Sequence, residues 1–202
     1  MNQTRRRLVT GAAGILLLAG CDRIAGKAAA QQSFHFTDIT GATFARSLDL
    51  PDADGKPRTL ADWKGKVTVV FFGYTQCPDV CPTTMAEMAQ IRTLMGADGD
   101  KLQTVFVTID PERDTPEILK AYVANFGPGV AALRGDAEQT AAAAKEFKVF
   151  YAKVGGKSPG SYSMDHSAAS FVFDPQGRVR LFVPYGGDPK VLAADIKTLA
   201  AG

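Results

Sequence analysis

Cysteine and histidine are scarce in this chain: three and two, respectively, among 202 residues. Three cysteines leave room for one disulfide at most, so no framework of bridges holds the fold together. Charge of one sign is lacking as well. There are 23 Lys and Arg against 21 Asp and Glu, and residues 1–20 hold three of the arginines and no acid. The remainder therefore carries 20 basic against 21 acidic groups, and nothing in that balance argues for nucleic acid. No internal repeat is visible. The hydrophobic content of 46% is ordinary for a globular protein, and the length suits one domain with a real core.

The start of the chain reads as an address. Arg5-Arg6-Arg7 precede Gly14-Ile15-Leu16-Leu17-Leu18, an apolar run too short to span a bilayer, which leads into Leu18-Ala19-Gly20-Cys21. This resembles a bacterial lipobox, in which the cysteine becomes the lipidated first residue of the exported protein. Residues 1–20 are thus expected to be a signal peptide, Cys21 a lipid-bearing residue, and 21–40 a flexible tether with no amphipathic period. A plain signal peptide or an uncleaved anchor would export the domain as well. Thr4-Arg5-Arg6-Arg7-Leu8 matches a twin-arginine signal too loosely to assign a route. The folded domain, expected over 41–202, is placed on the periplasmic or extracytoplasmic face of a bacterial cell membrane. His35, between Phe34 and Phe36, is read as an ordinary surface or edge-strand residue.

Setting Cys21 aside leaves Cys77 and Cys81, which stand in the stretch that organises the chain. Val67-Thr68-Val69-Val70-Phe71-Phe72 is a β-branched and aromatic run of the kind that makes a buried parallel strand. Gly73 breaks it, and Pro82 stands where a helix would take its first residue, ahead of Met85, Met88, Ile91 and Met95. If 78–82 is helical, the two cysteines share a face. Unpaired backbone N–H groups and the positive end of the helix dipole would then favour thiolate at both. Thiolate is the form that binds soft metal or attacks a disulfide. The alternative is a structural bridge or two core cysteines. A bridge closing so small a loop stabilises little, which points to a function for the pair.

Further along, Phe44–Leu48 and the turn Asp52–Lys56 suggest a hairpin, and Leu60–Trp63 a helical turn. A second buried strand is expected over Leu102–Ile109. Thr115-Pro116 begins a helix that Gly127-Pro128 stops, and Ala131–Leu133 is a brief strand. Asp136, with Gln139 three residues on, starts the next helix, ending near Phe147. A strand through Val149-Phe150-Tyr151 leads to a Gly/Ser/Pro-rich loop, and Ser170–Phe173 and Val179–Val183 flank the turn Asp174–Gly177. Asp188-Pro189 opens a final helix. The order βαβαβα, then ββα, implies an α/β fold. It has a mixed central sheet, right-handed crossovers, helices on both faces, and a C-terminal β-hairpin plus helix, which is the thioredoxin-like arrangement.

Three places converge near the carboxyl ends of the parallel strands, where such sheets put their ligands. They are Cys77 with Cys81, the loop Asp110-Pro111-Glu112-Arg113-Asp114, and the loop Tyr162-Ser163-Met164-Asp165-His166-Ser167. Two thiolates and the imidazole of His166 suit Cu(I) in a three-coordinate site, whereas zinc prefers a fourth ligand that the sequence does not supply. Asp165 is placed to orient the imidazole, and Met164 offers either a thioether neighbour or, on the simpler reading, packing.

At these residues the chain resembles the Sco/SenC family, thioredoxin-like copper chaperones of cytochrome c oxidase assembly. The resemblance runs from about Phe44 to the end. It rests on Gly73–Pro82, on Asp110–Pro116 and on Asp165-His166-Ser167. It implies copper held by Cys77, Cys81 and His166, as Cu(I) with Cu(II) left open, and Asp110 beside the site rather than ligating. It also implies delivery to the dinuclear copper site of oxidase subunit II. Because oxidation of Cys77 and Cys81 to a disulfide would abolish Cu(I) binding, a periplasmic thiol reductant is expected to keep the pair reduced. Many members carry a transmembrane helix where this chain has the lipobox. The rival reading is a thiol–disulfide oxidoreductase. Such enzymes, however, place two residues between their cysteines and an X-Pro opposite, where this chain has three residues and Asp165-His166. A peroxidase fits less well, since Pro78 stands where its threonine belongs. A copper-responsive signalling module would share every residue named.

Overall fold

The computed structural model describes residues 33–156 and 161–202; the signal segment, Cys21 and most of the expected tether lie outside them. The chain enters through a short strand, β1 (Thr37–Asp38), and a small hairpin of β2 (Asp49–Pro51) and β3 (Pro57–Thr59). A 3-10 turn over Leu60–Trp63 leads into β4 (Val67–Gly73). Next come α1 (Val80–Met95), β5 (Leu102–Thr108), α2 (Pro116–Ala124), β6 (Val130–Leu133) and α3 (Ala137–Glu146). The chain closes with β7 (Tyr151–Gly155), β8 (Tyr162–His166), β9 (Ser170–Phe173), β10 (Val179–Val183) and α4 (Pro189–Ala201).

The six-stranded sheet runs β1-β10-β9-β4-β5-β6, with β4, β5 and β6 parallel and the other pairings antiparallel. It is the mixed α/β sheet that the order of elements implies. Both central strands are buried along their whole length, as unbroken β-branched and aromatic runs require. Strand alternation then assigns the two faces. Val67 and Val69 pack with Met88, Ile91 and Met95 of α1 and with Leu192, Ile196 and Leu199 of α4. Val70 and Phe72 join Leu119, Phe147, Phe171 and Phe173 on the other side. The helix starts follow their caps: Asp136 accepts the Gln139 N–H at 2.8 Å while Gln139 accepts the Asp136 N–H at 3.0 Å.

Four local readings change. The fold begins ahead of residue 41, because Phe34 and Phe36 pack on the α1/α4 core and Thr37–Asp38 pairs with β10. His35 is fastened there too: its backbone N–H and its Nδ1 both meet the buried carboxylate of Asp195, the latter at 2.7 Å. Phe44–Leu48 is not a strand, since Ala45 takes a left-handed backbone (φ 52°) and its N–H donates to the Glu146 carbonyl. The strand expected from Val149 starts two residues later. Lys148, at φ 54°, makes the left-handed cap of α3, with the Val149 N–H returning to the Ala144 carbonyl. Finally, residues 162–166 are strand β8, paired antiparallel with β7 in a separate two-stranded sheet, so His166 ends a strand. Among the described residues no helix is long and apolar enough to cross a membrane.

Phe147 joins the strands to α3 through ring contacts with Phe72 at 5.1 Å, Phe171 at 5.2 Å and Phe173 at 6.0 Å. Phe147→Ala is expected to lower stability by about 3–5 kcal/mol in chemical denaturation. A loss below about 1 kcal/mol would mean that this aromatic cluster is not the structural centre of its face.

Candidate metal centre

The site forms where β4 ends and α1 begins. α1 starts at Val80, so Pro82 lies in the first turn rather than at the first residue, where its missing N–H still costs no helical bond. Cys81 is thus the second helical residue and fully buried, while Cys77 stands in the loop before the helix, half-buried. Their sulfurs approach all the same, because the Cys81 backbone N–H donates to Cys77 Sγ at 3.4 Å. The sulfur of Cys77 occupies the position of a capping side chain, and Asp79, at the N-cap, makes no side-chain cap. Gly73 gives Cys81 its space. A Cβ on Gly73 would lie 2.8 Å from Cys81 Sγ and 3.0 Å from the Phe106 ring, closer than real contacts allow.

His166 completes the group. Its Nδ1–H donates to the Ser167 carbonyl at 3.0 Å. A carbonyl only accepts, so Nε2 keeps its lone pair, and that atom stands 3.5 Å from Cys81 Sγ. The edges of Tyr74 and Phe71 meet the imidazole at 6.0 and 6.1 Å. The ligand atoms of Cys77, Cys81 and His166 all lie within 4.8 Å of one another. Two sulfurs and one nitrogen at that spacing suit a soft, low-coordinate ion such as Cu(I).

Electrostatics modify the expectation of two helix-stabilised thiolates. Burial pushes the Cys81 thiol well above its ordinary range, and the backbone N–H of Tyr74 only partly offsets this. Loss of solvation outweighs the backbone donor here, so Cys81 holds its proton. Burial also holds the imidazole of His166 below its ordinary range, against the raising pull of the Ser167 carbonyl and of Asp165. The ligand set in its resting form is therefore neutral at both Cys81 and His166.

The carboxylates fall into three roles. Asp165 does not orient the imidazole: it is exposed on the opposite face of β8, and the Ser167 carbonyl takes that task. Asp110 is buried beside the site, and both its oxygens already accept hydrogen bonds, from Arg113 Nε and from the Tyr162 hydroxyl at 2.9 Å. Asp114 is the residue that reading the acidic loop as a unit missed. It is fully buried and accepts from Thr75 Oγ1 at 2.6 Å, from the Thr75 N–H at 3.1 Å and from Thr108 Oγ1 at 2.5 Å. It thereby ties the cysteine loop to the end of β5. Its signal in the sequence was weak, since an aspartate among charged neighbours reads as solvated.

A protonated Cys81 has a measurable consequence, because metal binding must expel that proton. The affinity of the reduced site for Cu(I) should rise by at least about one decade per pH unit between about pH 6 and pH 8. The lowered imidazole should add no further loss of affinity until the pH falls below its ordinary range. Competitive chelator titrations at several pH values check this, and a pH-independent affinity would contradict a protonated Cys81.

Comparison with known proteins gives the same frame. The family model described as SCO1/SenC matches residues 36–201. A SCO2-like protein of Rickettsia felis is 34% identical over 151 residues, 74% of each chain. The mitochondrial SCO2 homologue of Mus musculus is 36% identical over 142 residues, 69% of this chain and 54% of that protein, so the match spans about half of its length. Among solved structures, ScoI of Bradyrhizobium japonicum with copper bound superposes with a TM-score of 0.68 at 40% identity, covering 76% of this chain and 97% of that one. With the match running from the first packed residues to the last helix, the chain belongs to the SCO1/SenC family.

Proposed function

We propose that this chain is a membrane-tethered copper carrier of the periplasm. It takes Cu(I) as cargo on Cys77, Cys81 and His166 and delivers it to the dinuclear copper site of cytochrome c oxidase subunit II. The observation that carries this reading is the meeting of two sulfurs and one lone-pair nitrogen within 4.8 Å, in a family whose Bradyrhizobium member was solved with copper bound. The site's asymmetry suits transfer. Cys81 lies fully inside, whereas Cys77 and His166 are only half-buried, so an incoming ligand reaches the ion from their side. A carrier with three ligands hands its ion on by stepwise exchange, where a closed four-ligand site would retain it. Oxidation of the pair to a disulfide removes both sulfurs from the ion, so a periplasmic thiol reductant belongs to the cycle. The anchor is a lipid on Cys21, placed by the lipobox ahead of it.

Anaerobic titration of the reduced chain lacking residues 1–21 should show one tightly held Cu(I). Binding should weaken markedly in both His166→Ala and Cys77→Ser. Loss in the cysteine variant alone would remove His166 from the site, and feeble binding with brisk reduction of disulfide substrates would favour the oxidoreductase. In the full chain, Cys21→Ser should abolish incorporation of labelled fatty acid into the protein. A parent chain that takes up no label, or a variant that takes up as much, would overturn the lipid anchor.

A further inference from the structure

The strand that carries His166 is not part of the six-stranded sheet. β7 and β8 form a sheet of their own, and the strand of the imidazole reaches the cysteine strand only through the three residues that lead from His166 to β9, which pairs with β4. Side chains share in setting that distance, and one of them touches both sides. Arg113, in the loop after β5, is only 20% exposed along its side chain. Its Nε meets the carboxylate of Asp110. Its Nη1 donates to the Tyr162 carbonyl at 2.8 Å and to Gln76 Oε1 at 3.2 Å. The guanidinium lies 3.5 Å from the centre of the Tyr162 ring, whose hydroxyl returns to Asp110. Gln76 directly precedes Cys77, and Tyr162 is the first residue of β8, on the same face as His166. A single guanidinium thus joins the thiol's loop, the imidazole's strand and the end of a core strand.

Building on the copper-site reading above, we propose that Arg113 is a positioning residue that holds β8 where His166 Nε2 reaches the ion. It thereby decides between three-coordinate Cys–Cys–His binding and two-coordinate Cys–Cys binding. Arginine is needed because the task combines a planar stack on Tyr162 with N–H donors aimed at three acceptors. A lysine ammonium supplies neither the plane nor the fixed fork. Asp110 gains a role by the same argument. Its carboxylate fixes the plane of the guanidinium and the hydroxyl of Tyr162, and so acts on the ion only through His166.

The test is a double-mutant cycle on the reduced chain lacking residues 1–21, with Cu(I) as the probe under anaerobic conditions. Arg113→Gln and Arg113→Lys are each made alone and with His166→Ala. The single Arg113 changes should weaken Cu(I) by roughly 10–100-fold. X-ray absorption should then show the nitrogen neighbour lost and two sulfurs kept. In the His166→Ala background the same changes should matter by less than about twofold, because their route to the metal is already gone. Retention of the nitrogen neighbour, or effects that multiply in full in the double variants, would overturn the assignment. Should the arginine variants fail to fold, Tyr162→Phe removes only the bond to Asp110. It should give a smaller loss that likewise vanishes without His166, and a loss that persists there counts against the proposal. A parent chain that does not bind Cu(I), or binds it equally well in His166→Ala, would instead sink the copper-site reading on which this one rests.

Discussion

The seating of one sulfur, Cys81 Sγ, with no access to solvent governs the rest of the site. It lies at the first turn of α1, over a glycine whose missing Cβ leaves the necessary space. In that position an uncompensated thiolate is costly, and the protein keeps the proton. The lone pair of His166 Nε2 is the nearby acceptor, freed because the other ring nitrogen donates to the Ser167 carbonyl. Burial and tautomer are therefore one constraint seen from two sides.

The fold supplies this constraint from separate pieces. β4 carries the chain through the middle of the sheet and ends at Gly73. β5 ends beside it and leads into the loop whose Asp114 holds Thr75, so the turn before the cysteines is tied to the core by three hydrogen bonds. The imidazole arrives from a two-stranded sheet that the central sheet does not pair with, and the Asp110–Arg113–Tyr162 network reaches across that gap. The thiols thus rest on the central sheet, and the imidazole rests on a separate hairpin that side chains brace and that β9 joins to that sheet.

Much of this was legible before any coordinates. The buried runs at 67–72 and 102–109, the Thr115, Asp136 and Asp188 helix starts and the terminal hairpin all carry local signals, and each formed as an element, with the strand ends shifted by one residue at Gly73 and Thr108. Where a local reading failed, a longer-range contact had overridden it. Phe34, His35 and Phe36 look like tether until α4 offers Leu192, Ile196 and the Asp195 carboxylate to receive them. Residues 162–166 look like loop because the partner strand that orders them lies beyond a Gly- and Ser-rich segment. Asp165 sits next to His166 in sequence yet on the other face, since neighbours along a strand point in opposite directions.

By itself, the sequence determined the alternation of strands and helices and the two-faced core, and it singled out Cys77, Cys81 and His166, which the structure brings within 4.8 Å of one another. Those features depend on hydrophobic period, turn chemistry and residue type, which are properties of short segments. Only the tertiary structure decided that Cys81 is neutral, that a backbone carbonyl rather than Asp165 sets the tautomer of His166, that Asp114 braces the cysteine loop, and that Arg113 links thiol loop to imidazole strand. The physical reason is that burial and electrostatic environment are sums over neighbours brought from distant parts of the chain. Cys81 and His166 stand 85 residues apart, and no local pattern records the 3.5 Å between them.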